Sequence, residues 1–170
     1  MSQAGPLVRL LDALTKGLFA LACIALVTMW AGYVAEVFLR YLFNAPTRWS
    51  SDVVSYALTA CVALSLPAVT RDGAHVAITS LIERLPQRLQ GRCQRLLALV
   101  SALACVTAGA LIAVQAAAQW RDGIETVAAL PIPKWWLSGL VALGLVGAAA
   151  QFLRLAARPD GRSLGGEREI

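Results

Sequence analysis

Four stretches of the chain carry no Asp, Glu, Lys, Arg or His: residues 17–35, 53–70, 96–120 and 135–153. They are 18 to 25 residues long, and a helix needs about 20 residues to cross a hydrocarbon core. The pattern therefore predicts an all-α membrane protein with four transmembrane helices. Helices are required because the bilayer core offers no water to an unpaired backbone group. A transmembrane barrel would show short alternating segments, which are absent. Allowing for flanking residues, the spans are expected at 17–39, 51–70, 96–119 and 135–155. The third is long enough to tilt. Residues 1–16 then form a cytoplasmic lead, partly helical, and 156–170 a polar, Gly-rich tail expected to be disordered. A cleaved signal is disfavoured at the first span, which is too long for one and ends in the bulky Val37, Phe38 and Leu39.

Between the second and third spans a different period appears. Ile78, Leu81, Ile82, Leu85 and Leu89 recur at helical spacing, with Arg84 and Arg88 between them. Ser80 and Glu83 have capping-box spacing, and Pro86 breaks or bends the run. The expectation is an amphipathic segment over 76–89 at the inner interface, its Arg side toward anionic head groups. A plain solvated turn is the alternative. Pro67 should kink or loosen the inner end of the second span. Ser51 and Asp52 are placed to cap its start. On the third span Ser101, Cys105, Gly109, Ala113 and Ala117 put a small residue at every fourth position, and the fourth span carries Gly139, Gly144 and Gly147. Such stripes allow close helix approach, either within the chain or to a partner.

Composition sharpens this. Only 15% of residues are charged, against roughly 25% in a soluble domain. The net charge of +5 would hint at nucleic acid in a soluble protein, but here its placement carries the meaning. Eleven of the 15 Lys and Arg residues flank the ends of the spans shared by the N-terminus, the middle loop and the C-terminus; Arg40, Arg48, Arg121 and Lys134 flank the other ends. Basic loops stay in the cytoplasm, so an N-in, C-in topology follows. Trp49, Trp120, Trp135 and Trp136 all flank the opposite, outer ends, where an aromatic belt belongs.

Chemistry is sparse. No Asp, Glu, Lys, Arg or His lies at mid-depth, where such groups usually mark transport or redox work. His75 is the lone histidine, which excludes bis-histidine haem and any Ser-His-Asp arrangement with the distant Asp52. Cys23, Cys61, Cys93 and Cys105 form no CxxC pair and are read as small hydrophobes. No phosphate-binding glycine loop occurs. No enzyme, cofactor, metal site or nucleic-acid partner is expected.

One strip is more specific. Glu36 and Arg40 stand four apart in the favourable order for a helical pair. With them, Arg40, Tyr41, Phe43, Asn44, Pro46, Trp49 and Asp52 spell Arg-Tyr-x-Phe-Asn-x-Pro-x-x-Trp-x-x-acid. This resembles the hallmark of the small membrane subunit of TRAP transporters, the DctQ-like family. Arg71, Gly73 and His75 resemble that family's Arg-x-Gly-x-His segment, and Leu130 to Trp135 its entry to the fourth span. The sequence departs from the family pattern at Ser51, Ser65 and Asp72, and lacks a mid-span proline in the fourth helix.

The resemblance implies a bacterial inner-membrane protein. It implies a scaffold for a large membrane subunit that carries an organic acid inward on an ion gradient, usually Na⁺. A periplasmic substrate-binding protein would dock transiently, and the strip residues with Arg71, Gly73 and His75 would be interface or structural positions. Two alternatives stand beside it. One is the small subunit of a tricarboxylate-type tripartite system. The other is a self-contained transporter using Glu36 as its coupling carboxylate.

Overall fold

The computed structural model describes residues 6–45, 47, 49–72 and 87–157. Four helices account for most of them: α1 Pro6–Leu42, α2 Ser50–Arg71, α3 Gln87–Arg121 and α4 Lys134–Ala156. All four are long and apolar enough to cross a membrane. No named strand occurs among the described residues. The expected amphipathic segment and the tail fall largely outside them; residues 87–89 are the first turn of α3.

Each helix runs past the charge-free stretch that announces it. Backbone hydrogen bonding, unlike hydropathy, does not stop at a charged side chain. Pro6 opens α1, where a missing N–H costs nothing, and the lead from that point is continuous with the first span. With 37 residues, α1 is about 55 Å long; α3, with 35, is nearly as long. Both overreach a hydrocarbon core of roughly 30 Å. The 22 residues of α2 and 23 of α4 match that thickness closely.

The helices pack in the order α1, α2, α4, α3. α1 lies along α2, α2 along α4, and α4 along α3, while α3 makes no extended contact with α1 or α2. Burial follows this order. A third of the most apolar stretch is buried in α2 and in α4, against 6% in α1 and 17% in α3. Large side chains such as Leu21, Trp30, Val100, Leu103 and Leu111 face outward, as they do where lipid is the solvent.

Small residues line the seams, as expected when packing rather than hydrophobicity drives association. Ala57, Ala63, Ala68, Ala98, Ala102, Ala142, Ala148 and Ala149 are all buried. The tightest seam joins α2 to α4 around Pro67, the largest fully buried side chain. A proline supplies no N–H to the carbonyl four residues earlier, which is that of Ala63. Gly144 packs directly on the Ala63 carbonyl, and any Cβ at 144 would collide with it. Gly147, one turn on, takes the proline ring: a Cβ there would stand 2.6 Å from Pro67 Cγ. The two glycines thus let α4 close over the backbone group that the proline frees.

The α3–α4 seam uses Gly109, whose missing side chain would sit 3.5 Å from Leu145 and 3.6 Å from Val146. The every-fourth-residue stripe does not stay on this seam. At 3.6 residues per turn, a step of four drifts about 40° each time. Gly109 is buried, but Ala113 and Ala117 have rotated to the exposed side. Gly139 likewise meets nothing within 4 Å.

α1 and α4 meet where the first helix begins and the fourth ends. Gln151 Nε2 donates to Thr15 Oγ1 at 2.8 Å, and that hydroxyl donates to Leu11 O at 2.8 Å. Both side chains are buried. One turn further out, Arg154 grips Asp12 through two nitrogens at 2.5 and 3.4 Å.

Candidate functional site

The strip from Glu36 to Asp52 forms the end of α1, the turn and the start of α2. α1 stops at Leu42, and Asn44 takes a left-handed conformation, φ 48°. Asparagine tolerates that region better than most residues. The reversal aims the N–H of Ala45 back at Leu39 O, 3.1 Å away; Phe43 N donates to the same oxygen at 3.2 Å.

This turn wraps around Glu36. The carboxylate is buried and accepts from four donors. Arg40 Nη2 meets Oε1 at 2.8 Å. Oε2 takes the Thr47 N–H at 3.2 Å, the Thr47 hydroxyl, and the Ser50 hydroxyl at 3.0 Å. A carboxylate has about four lone-pair positions, and these donors account for them. Glu36 is therefore the knot that ties α1, the turn and α2. The pairing with Arg40 follows from their spacing. The hydroxyls of Thr47 and Ser50 were not singled out as its partners; both fall at unspecified positions inside the motif, directly after Pro46 and Trp49.

Asp52 acts differently from the expected cap. α2 begins at Ser50 with Trp49 as the preceding residue, and no side chain caps it. Ser51 and Asp52 thus lie inside the first turn. Asp52 Oδ2 instead accepts the N–H of Leu130 at 3.1 Å, 78 residues away. Tyr56, one turn on, donates to Leu130 O at 3.1 Å and lies 2.8 Å from the Thr126 hydroxyl. The segment between α3 and α4 is itself folded back. Thr126 N donates to Ile132 O and Lys134 N to Ile124 O, each at 3.0 Å, and the Thr126 hydroxyl accepts Ile132 N at 3.0 Å. Tyr56, Thr126 and the Leu130 backbone were missed. Tyr56 is legible only as a polar tip within an apolar span; the loop pairing has no sequence signature.

The α1–α2 and α3–α4 connections so form one platform. Tyr41 and Phe43 project from it, 82% and 72% exposed. Trp49 is partly exposed, and Val127 stands free at the tip of the second segment. Beneath it, Trp120 and Trp135 meet edge to face at 4.4 Å, and Ser138 donates to Gln119 at 2.8 Å. Arg71 lies at the opposite end of α2, paired with Asp72 at 2.9 Å, so the structure does not bring it to the strip. Pro46, Gly73 and His75 lie outside the described residues. Among the described residues no cluster of His, Cys, Asp or Glu is arranged to hold a metal.

These features define a multi-pass, all-helical membrane protein organised around the α1–α2 turn. The chain belongs to the DctQ component family of tripartite ATP-independent periplasmic transporters, whose family model matches residues 29–160. That range holds the whole 36–52 strip, the end of α1 and all of α2, α3 and α4. It makes the chain a small membrane subunit of a TRAP transporter, in the bacterial inner membrane. No curated protein and no solved structure matches it.

Proposed function

We propose that this subunit is a non-catalytic scaffold. In this reading it packs against the large membrane subunit and supports ion-gradient-driven uptake of an organic acid delivered by a periplasmic binding protein. The observation that carries it is the division of polar groups. The middles of the four spans hold no Asp, Glu, Lys, Arg or His, while the side-chain hydrogen bonds that join one segment to another gather at the two ends. Intramembrane charge is the usual mark of an ion or substrate path, so those sites are assigned to the large subunit. Glu36 supports the same reading. Its acceptor positions are taken by Arg40, Thr47 and Ser50, which leaves it poorly suited to couple transport in a self-contained carrier.

The topology is N-in, C-in, supported by the 11-to-4 division of basic residues. The platform built on the Glu36 knot and the Asp52–Leu130 link then faces the periplasm. Its exposed Tyr41, Phe43 and Val127 are suited to contact the binding protein or the large subunit. The test is co-expression with a large TRAP subunit, followed by detergent purification and reconstitution. A stable complex is expected, with uptake lost when this chain is omitted. Uptake by the large subunit alone at full rate, with no complex, would overturn the proposal.

A further inference from the structure

Lys16 is the last charged residue before the apolar stretch of α1, and Arg71 the first after that of α2. The two helices are antiparallel neighbours, so both cations arrive at the same polar–apolar boundary. Between them the structure has an open cleft of about 260 Å³. Its rim holds Lys16, Arg71 and Asp72, and its wall is Phe19, Ala20 and Ala68. Ala68 is buried, while Phe19 remains half exposed along the lipid-facing side of α1. Lys16 has no hydrogen-bond or ion-pair partner among the described residues. Arg71 spends Nε on Asp72 at 2.9 Å, which leaves its other nitrogens unassigned among them. The rim holds two cations against one carboxylate, and the nearby Asp12, which both cations reach electrostatically, is itself ion-paired with Arg154, so the net charge there stays positive. An apolar wall descends from it into the span.

We propose that this cleft binds the phosphate of an anionic phospholipid, with Lys16 and Arg71 as its cationic partners and an acyl chain along Phe19 and Ala20. A basic recess between helices at the membrane surface matches a charged head group, and guanidinium and ammonium groups both serve phosphate oxygens. A soluble anion would use the rim alone; an amphiphile uses rim and wall together. The assignment goes beyond the scaffold role and does not depend on it.

Native mass spectrometry of the purified full chain in detergent tests it, with phosphatidylglycerol or phosphatidylcholine added. Phosphatidylglycerol is expected to be retained in preference. Lys16→Gln should weaken that retention about fivefold, as expected for one basic residue at a membrane surface, and Lys16→Gln with Arg71→Gln should abolish the preference. Asp72→Asn, which removes the opposing charge, should strengthen it. Arg121→Gln, at the other end of the molecule, should behave as wild type. Lys16 is exposed and has no hydrogen-bond or ion-pair partner among the described residues, so its variant is expected to remain folded and monodisperse. Equal retention of the two lipids, or an unchanged preference in the double variant, would overturn the site. Displacement of the lipid by millimolar inorganic phosphate would make the free anion the ligand and overturn the lipid assignment.

Discussion

Glu36 is one carboxylate holding three pieces of chain, and its neighbours are not equivalent. Arg40 is exposed and supplies one donor of the four, whereas Thr47 and Ser50 supply the bonds that cross the turn. Glu36→Ala strands those donors and frees the turn, while Arg40→Ala leaves three bonds in place. The melting midpoint of the detergent-purified chain should therefore fall further for Glu36→Ala than for Arg40→Ala. Equal losses would mean that the ion pair, not the turn, carries the effect. Asp52 lends itself to a local readout. Asp52→Ala removes the acceptor of the Leu130 N–H, so hydrogen exchange at Leu130 and its neighbours should accelerate while exchange in mid-α2 stays unchanged. At this scale the sequence singled out Glu36, Arg40 and Asp52 and, apart from the Glu36–Arg40 pair, was silent about their partners. Glu36 and Arg40 are readable because a helix fixes spacing four. Asp52 and Leu130 are not, because nothing local relates two positions 78 residues apart.

Among the elements, α2 and α4 are joined by complementary irregularities. A proline frees a carbonyl and two glycines admit it. Gly144→Ala must displace the Ala63 carbonyl, backbone against backbone, and should cost about 1–3 kcal/mol as overpacking. Gly139→Ala, facing open space, should be neutral or stabilise by about 0.5–1 kcal/mol through helix propensity. Thermal unfolding of the two variants in detergent compares them directly. Gly147→Ala should also destabilise, and Pro67→Ala should rescue it in part, since the Cγ at 2.6 Å is removed while the Cβ at 3.2 Å remains. Additive losses in the double variant would mean that ring and glycine do not meet. The helices themselves were legible as charge-free runs. Their seams were legible only in part: small residues mark all possible contact faces, and the strict fourfold stripe on α3 leaves its own seam by Ala113. Proline and glycine pairing across α2 and α4 needs three-dimensional register, which periodicity does not supply.

The whole molecule is an open row with a polar clamp at each end. At one end, Asp52 and Tyr56 tie α2 to the α3–α4 connection; at the other, Gln151 and Arg154 tie α4 to α1. Its outward-facing apolar surfaces on α1 and α3 are what a larger neighbour or lipid would cover. Orientation belongs to this scale. A fluorescent protein fused to the C-terminus should fluoresce, and a periplasm-dependent alkaline phosphatase fused there should be inactive; the reverse pattern would invert the assigned topology. Charge asymmetry made that expectation readable from sequence. The order α1, α2, α4, α3 was not readable, because lipid and protein select the same apolar residues.

That order has a consequence for synthesis. A ribosome delivers α3 to the membrane before α4 exists, yet α4 is its sole extended neighbour among the described helices. α4 also meets α2 along the Pro67 seam and α1 through Thr15 and Asp12. The last helix to emerge is therefore the one all three others wait for, and a nascent chain stopped before residue 134 has only the α1–α2 hairpin assembled. The same arithmetic makes the chain divisible: hairpins α1–α2 and α3–α4, translated as separate polypeptides, retain every extended helix seam but one within themselves, and that one is the proline–glycine joint.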